Sequence, residues 1–258
     1  MPDITRITDS IHSFPVPYKD IFVQIYILQT GAGAVLFDAA GCPEDVDNYI
    51  LPALKTLDIV PTHIFISHNH GDHAGGLSRA AALFPNAQIV SCCESLREQY
   101  PGLCHPQDGD LLLDVLQVVS IPGHTPDAAA LLDLRTNTLV TGDCLQSYGI
   151  YGSGFWYGAI PFPAEHLAAI EKLRALPIET VATAHDYHPC GVVSFGKEAV
   201  RQRLDTSACA LERLAAAIRQ HPALDAPELA VLCNDGTLPK VAPRILVAIR
   251  HAIAQGIL

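Results

Sequence analysis

The sequence of 258 residues contains no apolar run near the roughly 20 residues that span a bilayer. The longest apolar candidate, residues 21–28, is short and is interrupted by Gln24. The chain also lacks a basic segment followed by an apolar one at its start, so we expect no signal peptide. These absences predict a cytoplasmic protein that has no membrane partner.

Basic residues are scarce. The chain has 16 Lys and Arg against 27 Asp and Glu, which gives a formal net charge of −11. Binding to nucleic acid usually requires a basic footprint that neutralises phosphates. The composition therefore argues against a nucleic-acid partner and favours a small-molecule substrate.

Cysteines at the CxxC spacing are missing as well. The chain has eight cysteines, and no two of them form a CxxC motif. Because no secretory signal accompanies them, the even number does not indicate a disulfide framework. We interpret all eight as free thiols in a reducing compartment.

Hydrophobic residues make up 49% of the chain, which is enough for a sizeable core. Strand-like and helix-like segments alternate up to about residue 190, which is typical of sheets flanked by helices. The segments 198–220 and 241–254 are instead rich in Ala, Leu and Arg and predict helices. We therefore expect a catalytic domain at 1–192 and a C-terminal helical extension at 193–258 that packs on it.

Residues 68–73 concentrate ligand-type side chains directly after an apolar strand. They include His68, His70, Asp72 and His73, and Gly71 permits a tight turn between them. Imidazole and carboxylate are the ligands expected for zinc or iron. A polar surface loop that happens to be rich in histidine is the alternative, but four potential ligands in six residues favour a metal site.

Three further candidates each follow a predicted strand. They are His124, Asp143 and His185. A lone histidine at a strand end is more often a hydrogen-bonded structural residue than a ligand. Their shared context, however, would bring all three to one edge of the sheets.

The order His68-x-His70-x-Asp72-His73 followed by His124, Asp143 and His185 resembles the metallo-β-lactamase fold superfamily. The resemblance covers residues 4–190. It implies an α/β fold, a four-layer αββα metallo-β-lactamase sandwich with a C-terminal helical segment. It also implies that the residues matching His68, His70 and His124 bind one metal ion, those matching Asp72, His73 and His185 bind a second, and the residue matching Asp143 bridges both.

This ligand set is similar to those of glyoxalase II and the quorum-quenching lactonases, whereas lactamases proper tend to carry Cys at the position of Asp143. Two metal ions held about 3.5–4 Å apart can activate a bridging water for attack on a carbonyl. The resemblance therefore implies an enzyme, a dinuclear metal-dependent hydrolase of a small ester, thioester or lactone. Zinc is the expected metal, with iron or manganese as alternatives. Asp72 is the candidate catalytic residue that steers the hydroxide or takes its proton.

A stretch of aromatic and glycine residues follows Asp143. A mobile loop over the metal ions is one interpretation of residues 148–157, and a packed core loop or a contact in a homodimer is the other. The position after Asp143 favours the first, in which the loop and a nearby histidine touch substrate. The candidate substrate-binding residues are Tyr148, Tyr151, Trp156, Tyr157 and His188.

Two other enzymes remain as alternatives. Persulfide dioxygenases of this superfamily resemble the chain in the motif region and use one iron, on ligands that match His68, His124 and Asp143. The complete set of seven ligands, His185 above all, favours two metal ions. A phosphodiesterase acting on nucleic acid is the other alternative, and the net charge opposes it.

Overall fold

The computed structural model describes residues 3–234 and 238–258. They fold into two compact units, one formed by the described residues within Met1–Ser120 and Asp127–Gly142 and the other by those within Ile121–Pro126 and Asp143–Leu258. In the described residues no helix is both long and apolar enough to cross a membrane.

The described residues of the first unit form ten strands and five α-helices. The strands are β1 (Thr5–Arg6), β2 (Ile11–Tyr18), β3 (Ile21–Thr30), β4 (Gly33–Phe37), β5 (His63–Ile66), β6 (Gln88–Ser91), β7 (Leu111–Leu112), β8 (Leu116–Ser120), β9 (Ala129–Asp133) and β10 (Thr138–Val140). The helices are α1 (Pro43–Asp45), α2 (Leu51–Leu57), α3 (Gly71–Ala74), α4 (Leu77–Leu83) and α5 (Glu94–Gln99), and a π-helical turn (Val46–Ile50) joins α1 to α2.

Six of these strands form one sheet in the order β1 to β6. Strands β1 to β4 pair antiparallel, and β4, β5 and β6 pair parallel. Strand β5, which lies between β4 and β6, is apolar and mostly buried, which is typical of parallel strands covered on both faces. The rings of Phe37 and Phe65 stack across β4 and β5 with their centroids 5.2 Å apart.

The other four strands of this unit form an antiparallel meander from β7 to β10. Side chains and main chain connect it to the first sheet. Arg135 donates to the carbonyl of Gln29 at 2.8 Å, and the amide of Ala129 donates to the carbonyl of Ser67 at 3.0 Å. The expected mixed α/β fold with two multi-stranded sheets and several helices is confirmed.

The second unit is mainly helical. Its elements are β11 (Phe155–Trp156), α6 (Pro163–Arg174), β12 (Thr180–Tyr187), β13 (Gly191–Phe195), α7 (Lys197–Gln220), α8 (Ala226–Cys233), β14 (Lys240–Val241) and α9 (Pro243–Ala254). Strands β12 and β13 pair antiparallel, and β11 and β14 pair parallel. A capping box between Asp225 and Glu228 begins α8.

The core of this unit joins the C-terminal helices to the segment that follows Asp143. Trp156 and Tyr157 are fully buried in one cluster with Leu211 and Leu214 of α7, Leu229 of α8 and Ile245 of α9. The segment after Asp143 and the C-terminal helices therefore lie in the same compact unit. The domain boundary that we expected between residues 192 and 193 falls inside this unit.

Candidate metal centre

In the first unit, the four ligand candidates lie on the loop after β5 and on the short helix α3. His68 and His73 are buried, while His70 and Asp72 are partly exposed. Nε2 of His68 lies 3.1 Å from Nδ1 of His70, and Nε2 of His73 lies 3.7 Å from Oδ2 of Asp72. Two nitrogens bound tetrahedrally to zinc at about 2.0–2.1 Å would lie about 3.3 Å apart, so the His68–His70 distance suits a shared metal ion.

Asp38 orients two of these histidines, and the sequence analysis gave it no role. Its fully buried carboxylate accepts hydrogen bonds from the amide of Ser67 at 2.8 Å, from Oγ of Ser67 at 3.0 Å and from Nδ1 of His73 at 2.7 Å. Because a carboxylate in these contacts only accepts, Nδ1 of His73 carries the proton and Nε2 keeps the lone pair that a metal needs.

The same reasoning fixes the tautomer of His68. The hydroxyl of Ser67 donates to Asp38, so Nδ1 of His68, at 3.0 Å, donates to Oγ of Ser67. Nε2 of His68 then presents its lone pair. Asp38 follows the carboxyl end of β4 and Ser67 follows that of β5. Its place after a strand is the one signal in the sequence that could have identified Asp38.

In the second unit, Asp143 lies between two histidines. Its Oδ1 is 3.2 Å from Nε2 of His185, and its Oδ2 is 3.5 Å from Nε2 of His124. All three side chains are buried. One carboxylate therefore presents a different oxygen to each histidine, an arrangement that suits a ligand bridging two metal ions.

The structure differs from the sequence analysis in the position of His185. We expected this residue in a turn after a short strand, but β12 extends to Tyr187 and His185 lies within it. Its pairing with β13, which the sequence analysis did not predict, extends the strand. His185 lies between the paired residues Ala182 and Tyr187, where the register with β13 shifts.

The donor set of both units fits a metal ion. Each unit holds a cluster of His and Asp side chains, and the donor atoms of His68 and His70, of Asp72 and His73, and of Asp143 and His185 lie within 4.8 Å of one another in each pair. Imidazole and carboxylate suit zinc, iron and manganese. These clusters are able to bind metal.

The aromatic stretch is divided between core and surface. Trp156 and Tyr157 are fully buried, which matches the packed-loop alternative rather than a mobile lid. The ring of Tyr148 is partly buried and stacks on Trp156 at 5.9 Å, and Tyr151 is 43% exposed. The prediction that all of these side chains touch substrate therefore does not suit Trp156 and Tyr157, because the C-terminal helices cover them.

His188 joins the exposed part of this stretch. The hydroxyl of Tyr151 lies 2.6 Å from Nδ1 of His188. The amide of Tyr148 donates to the carbonyl of His188, and the amide of His188 donates to the carbonyl of Gly149, both at 2.9 Å. On the other side, Arg213 of α7 donates to the hydroxyl of Tyr148 at 3.2 Å. Tyr148, Tyr151 and His188 thus form one polar cluster, and His188 lies three residues after His185 in the sequence.

Two neighbouring cysteines are not nucleophiles at neutral pH. Burial, together with the nearby carboxylate of Asp127, raises the pKa of Cys92 to about 11 and that of Cys93 to about 12. Both thiols are therefore protonated, whereas the thiolate is the reactive form.

A family model described as the metallo-beta-lactamase superfamily matches residues 18–91. The uncharacterized protein YobT of Bacillus subtilis is 32% identical over 166 residues, which is 55% of this chain and 70% of YobT. A hydroxyacylglutathione hydrolase of Aliivibrio fischeri is 34% identical over 143 residues, which is 54% of this chain and 53% of that enzyme. The chain thus spans about half the length of that enzyme.

Solved structures show the same fold. A flavoprotein from Thermotoga maritima superposes with a TM-score of 0.66 at 19% identity and covers 83% of this chain and 62% of its own. A metallo-beta-lactamase from Pontibacter korlensis superposes with a TM-score of 0.60 at 20% identity and covers 80% of this chain and 99% of its own. At these identities the likeness concerns the fold alone.

Proposed function

The chain belongs to the metallo-β-lactamase superfamily, and from this membership we propose that it is a dinuclear metal-dependent hydrolase of a small ester, thioester or lactone. Its metal ions are two divalent cations, with zinc as the first candidate and iron or manganese as alternatives. Its substrate is a small molecule.

One observation carries the proposal. The two carboxylate oxygens of Asp143 face two different histidines, at 3.5 Å for His124 and 3.2 Å for His185. A carboxylate that faces two histidine donors through separate oxygens suits two metal ions, with one ion beside each histidine. The arrangement therefore supports two metal ions over the single iron of a dioxygenase.

We assign the ligands as the resemblance implies. His68, His70 and His124 hold one metal ion, Asp72, His73 and His185 hold the other, and Asp143 bridges them. The tautomers set by Asp38 support this assignment, because they leave Nε2 of His68 and of His73 as the donor atoms.

Each group has a distinct task in the proposed reaction. The bound metal ions would supply a hydroxide nucleophile at neutral pH and polarise the scissile carbonyl. Asp72, which is partly exposed, accepts the proton that the nucleophile loses. Asp143 keeps the two metal ions together.

The exposed aromatic cluster is the proposed site of substrate recognition. Tyr151 and His188 offer a hydrogen-bonded pair, and the partly buried Tyr148 adds a hydroxyl that accepts a hydrogen bond from Arg213. The similarity to hydroxyacylglutathione hydrolases supports a thioester among the three substrate classes. Because the match covers about half of that enzyme, the lactone and the simple ester also belong to the proposal.

The test joins metal analysis with a substrate panel. Protein purified without added metal is analysed for zinc, iron and manganese, and the same preparation is assayed on a thioester, a lactone, an aryl ester, a phosphodiester and a persulfide. We expect more than one metal equivalent per chain and hydrolysis of at least one carbonyl substrate. One iron per chain with oxygenation of the persulfide would overturn the proposal.

A further inference from the structure

The side-chain amide of Gln146 is buried and hydrogen-bonded at both ends. Its Nε2 donates to the carbonyl of Asp143 at 2.9 Å, and its Oε1 accepts from the amide of Ala159 at 2.7 Å. The same Nε2 lies 3.1 Å from Nδ1 of His124. One amide therefore contacts the ring of His124, the main chain of Asp143 and a turn more than ten residues further along the chain.

That turn orients His124. Nδ1 of His124 lies 2.5 Å from the carbonyl oxygen of Ala159, and because a carbonyl only accepts, Nδ1 carries the proton. Nε2 then keeps its lone pair, and Nε2 is the atom that faces Asp143. The position of the Ala159 carbonyl thus selects the tautomer of His124 that can bind a metal ion.

Glycine at position 158 makes this contact possible. Gly158 has φ +32°, and a Cβ at this position would lie 1.8 Å from Oε1 of Gln146. Any other residue would push the amide away from Ala159. The turn itself is anchored by Tyr157, which is fully buried among the C-terminal helices.

We propose that Gln146 is a positioning residue for the metal centre, which fixes His124 by holding the turn at residues 157–159 against the loop of Asp143. The inference rests on the proposed role of His124 as a metal ligand. The inference also assigns a task to the aromatic stretch at residues 148–157. The buried end of this stretch, at Tyr157, supports the metal centre, and the exposed end, at Tyr151, is the proposed site of substrate recognition.

Two variants disturb the contact in different ways, and one serves as a control. Gln146→Leu removes both hydrogen bonds, and Gly158→Ala displaces the intact amide. Gly154→Ala is the control, because Gly154 lies in the same stretch, also has a positive φ of +72°, and has nothing within 4 Å of its would-be Cβ.

The readout is metal affinity without substrate. Zinc is titrated into metal-free protein in competition with a chromophoric chelator, and the visible spectrum of the cobalt-substituted protein reports the ligand geometry. We expect Gln146→Leu and Gly158→Ala to weaken one of two zinc sites by about 10- to 100-fold and to alter the cobalt spectrum. Gly154→Ala should bind both ions as the wild type does.

Wild-type zinc affinity and cobalt spectrum in both Gln146→Leu and Gly158→Ala would overturn the inference, even if these proteins melt at lower temperature. If neither variant folds, histidine-selective ¹⁵N NMR on the wild-type zinc protein decides, because a His124 ring without a proton on Nδ1 would contradict it. A wild type that binds metal in this way but hydrolyses nothing would contradict the proposed function and leave the role of Gln146 intact.

Discussion

Nδ1 of His73 donates to the carboxylate of Asp38 at 2.7 Å, and both side chains are fully buried. Removal of the carboxylate in Asp38→Ala would leave the ring of His73 and the amide of Ser67 without their acceptor. Each such loss costs about 1–3 kcal/mol. We expect a lower free energy of unfolding and weaker zinc binding, measured by urea denaturation and by chelator competition.

A suitable control for Asp38→Ala is Asp47→Ala, which breaks an exposed ion pair with Arg79. Exposed ion pairs contribute about 0–1 kcal/mol, so Asp47→Ala should leave both stability and zinc binding near the wild type. Equal effects of the two substitutions would contradict the role assigned to Asp38.

Local patterns in the sequence were sufficient to predict part of the candidate metal centre. Residues 68–73 carry four ligand-type side chains together, and Gly142-Asp143 follows a short apolar strand, so both could be found without a structure. The roles of Asp38 and Gln146 could not be found in this way, because the histidines that they contact lie 35 and 22 residues away and only the folded chain brings them together. Hydrophobic periodicity along the sequence does not indicate such long-range contacts.

The same reason explains the aromatic stretch. Its composition of glycine and large rings suits a mobile loop, and nothing near it in the sequence shows that α7, α8 and α9 cover Trp156. The pairing of β11 with β14 joins two-residue strands about 85 residues apart, which hydrophobic periodicity cannot reveal. Strand β13 was missed because its five residues follow Pro189 and Cys190 directly.

Trp156→Ala tests the buried end of that stretch. Truncation of a fully buried tryptophan leaves a large cavity and costs about 3–5 kcal/mol. We expect a marked fall in the urea midpoint, whereas Tyr151→Ala, at an exposed side chain, should change it little. If Trp156→Ala kept wild-type stability and raised KM alone, the side chain would be a substrate contact rather than core.

Tyr151→Phe tests the exposed end. The substitution keeps the ring and removes the hydroxyl that lies 2.6 Å from His188. In the proposed recognition site this hydroxyl also binds substrate, and the loss of one such hydrogen bond costs ~0.5–1.5 kcal/mol, so we expect kcat/KM for the preferred substrate to fall about three- to tenfold. Metal content should stay unchanged. Steady-state kinetics beside metal analysis measures both, and Tyr100→Phe in the first unit is the matched control.

Acid stability depends on His166. Full burial lowers its pKa to about 4, against about 6.5 for an exposed histidine. The folded protein therefore binds fewer protons than the unfolded chain between these values, so its free energy of unfolding falls as the pH drops from about 6.5 to 4. The loss for this one group is about 3 kcal/mol at most.

The measurement compares urea denaturation of the wild type and His166→Leu between pH 4 and pH 8. Contributions from other titrating groups cancel when the free energy of unfolding of the variant is subtracted from that of the wild type. This difference should fall as the pH falls, because only the wild type has a buried imidazole to charge. A difference that stays constant with pH would contradict the assignment of acid sensitivity to His166.

The central claim is that Asp143 bridges two metal ions, and the metal stoichiometry of Asp143→Ala tests it most directly. The variant and the wild type are loaded with zinc, passed through a desalting column and analysed for zinc per chain, with the exposed His221→Ala as the control. We predict about two zinc ions for the wild type and for His221→Ala, and at most one, without hydrolysis, for Asp143→Ala. Two zinc ions retained by Asp143→Ala would contradict the account.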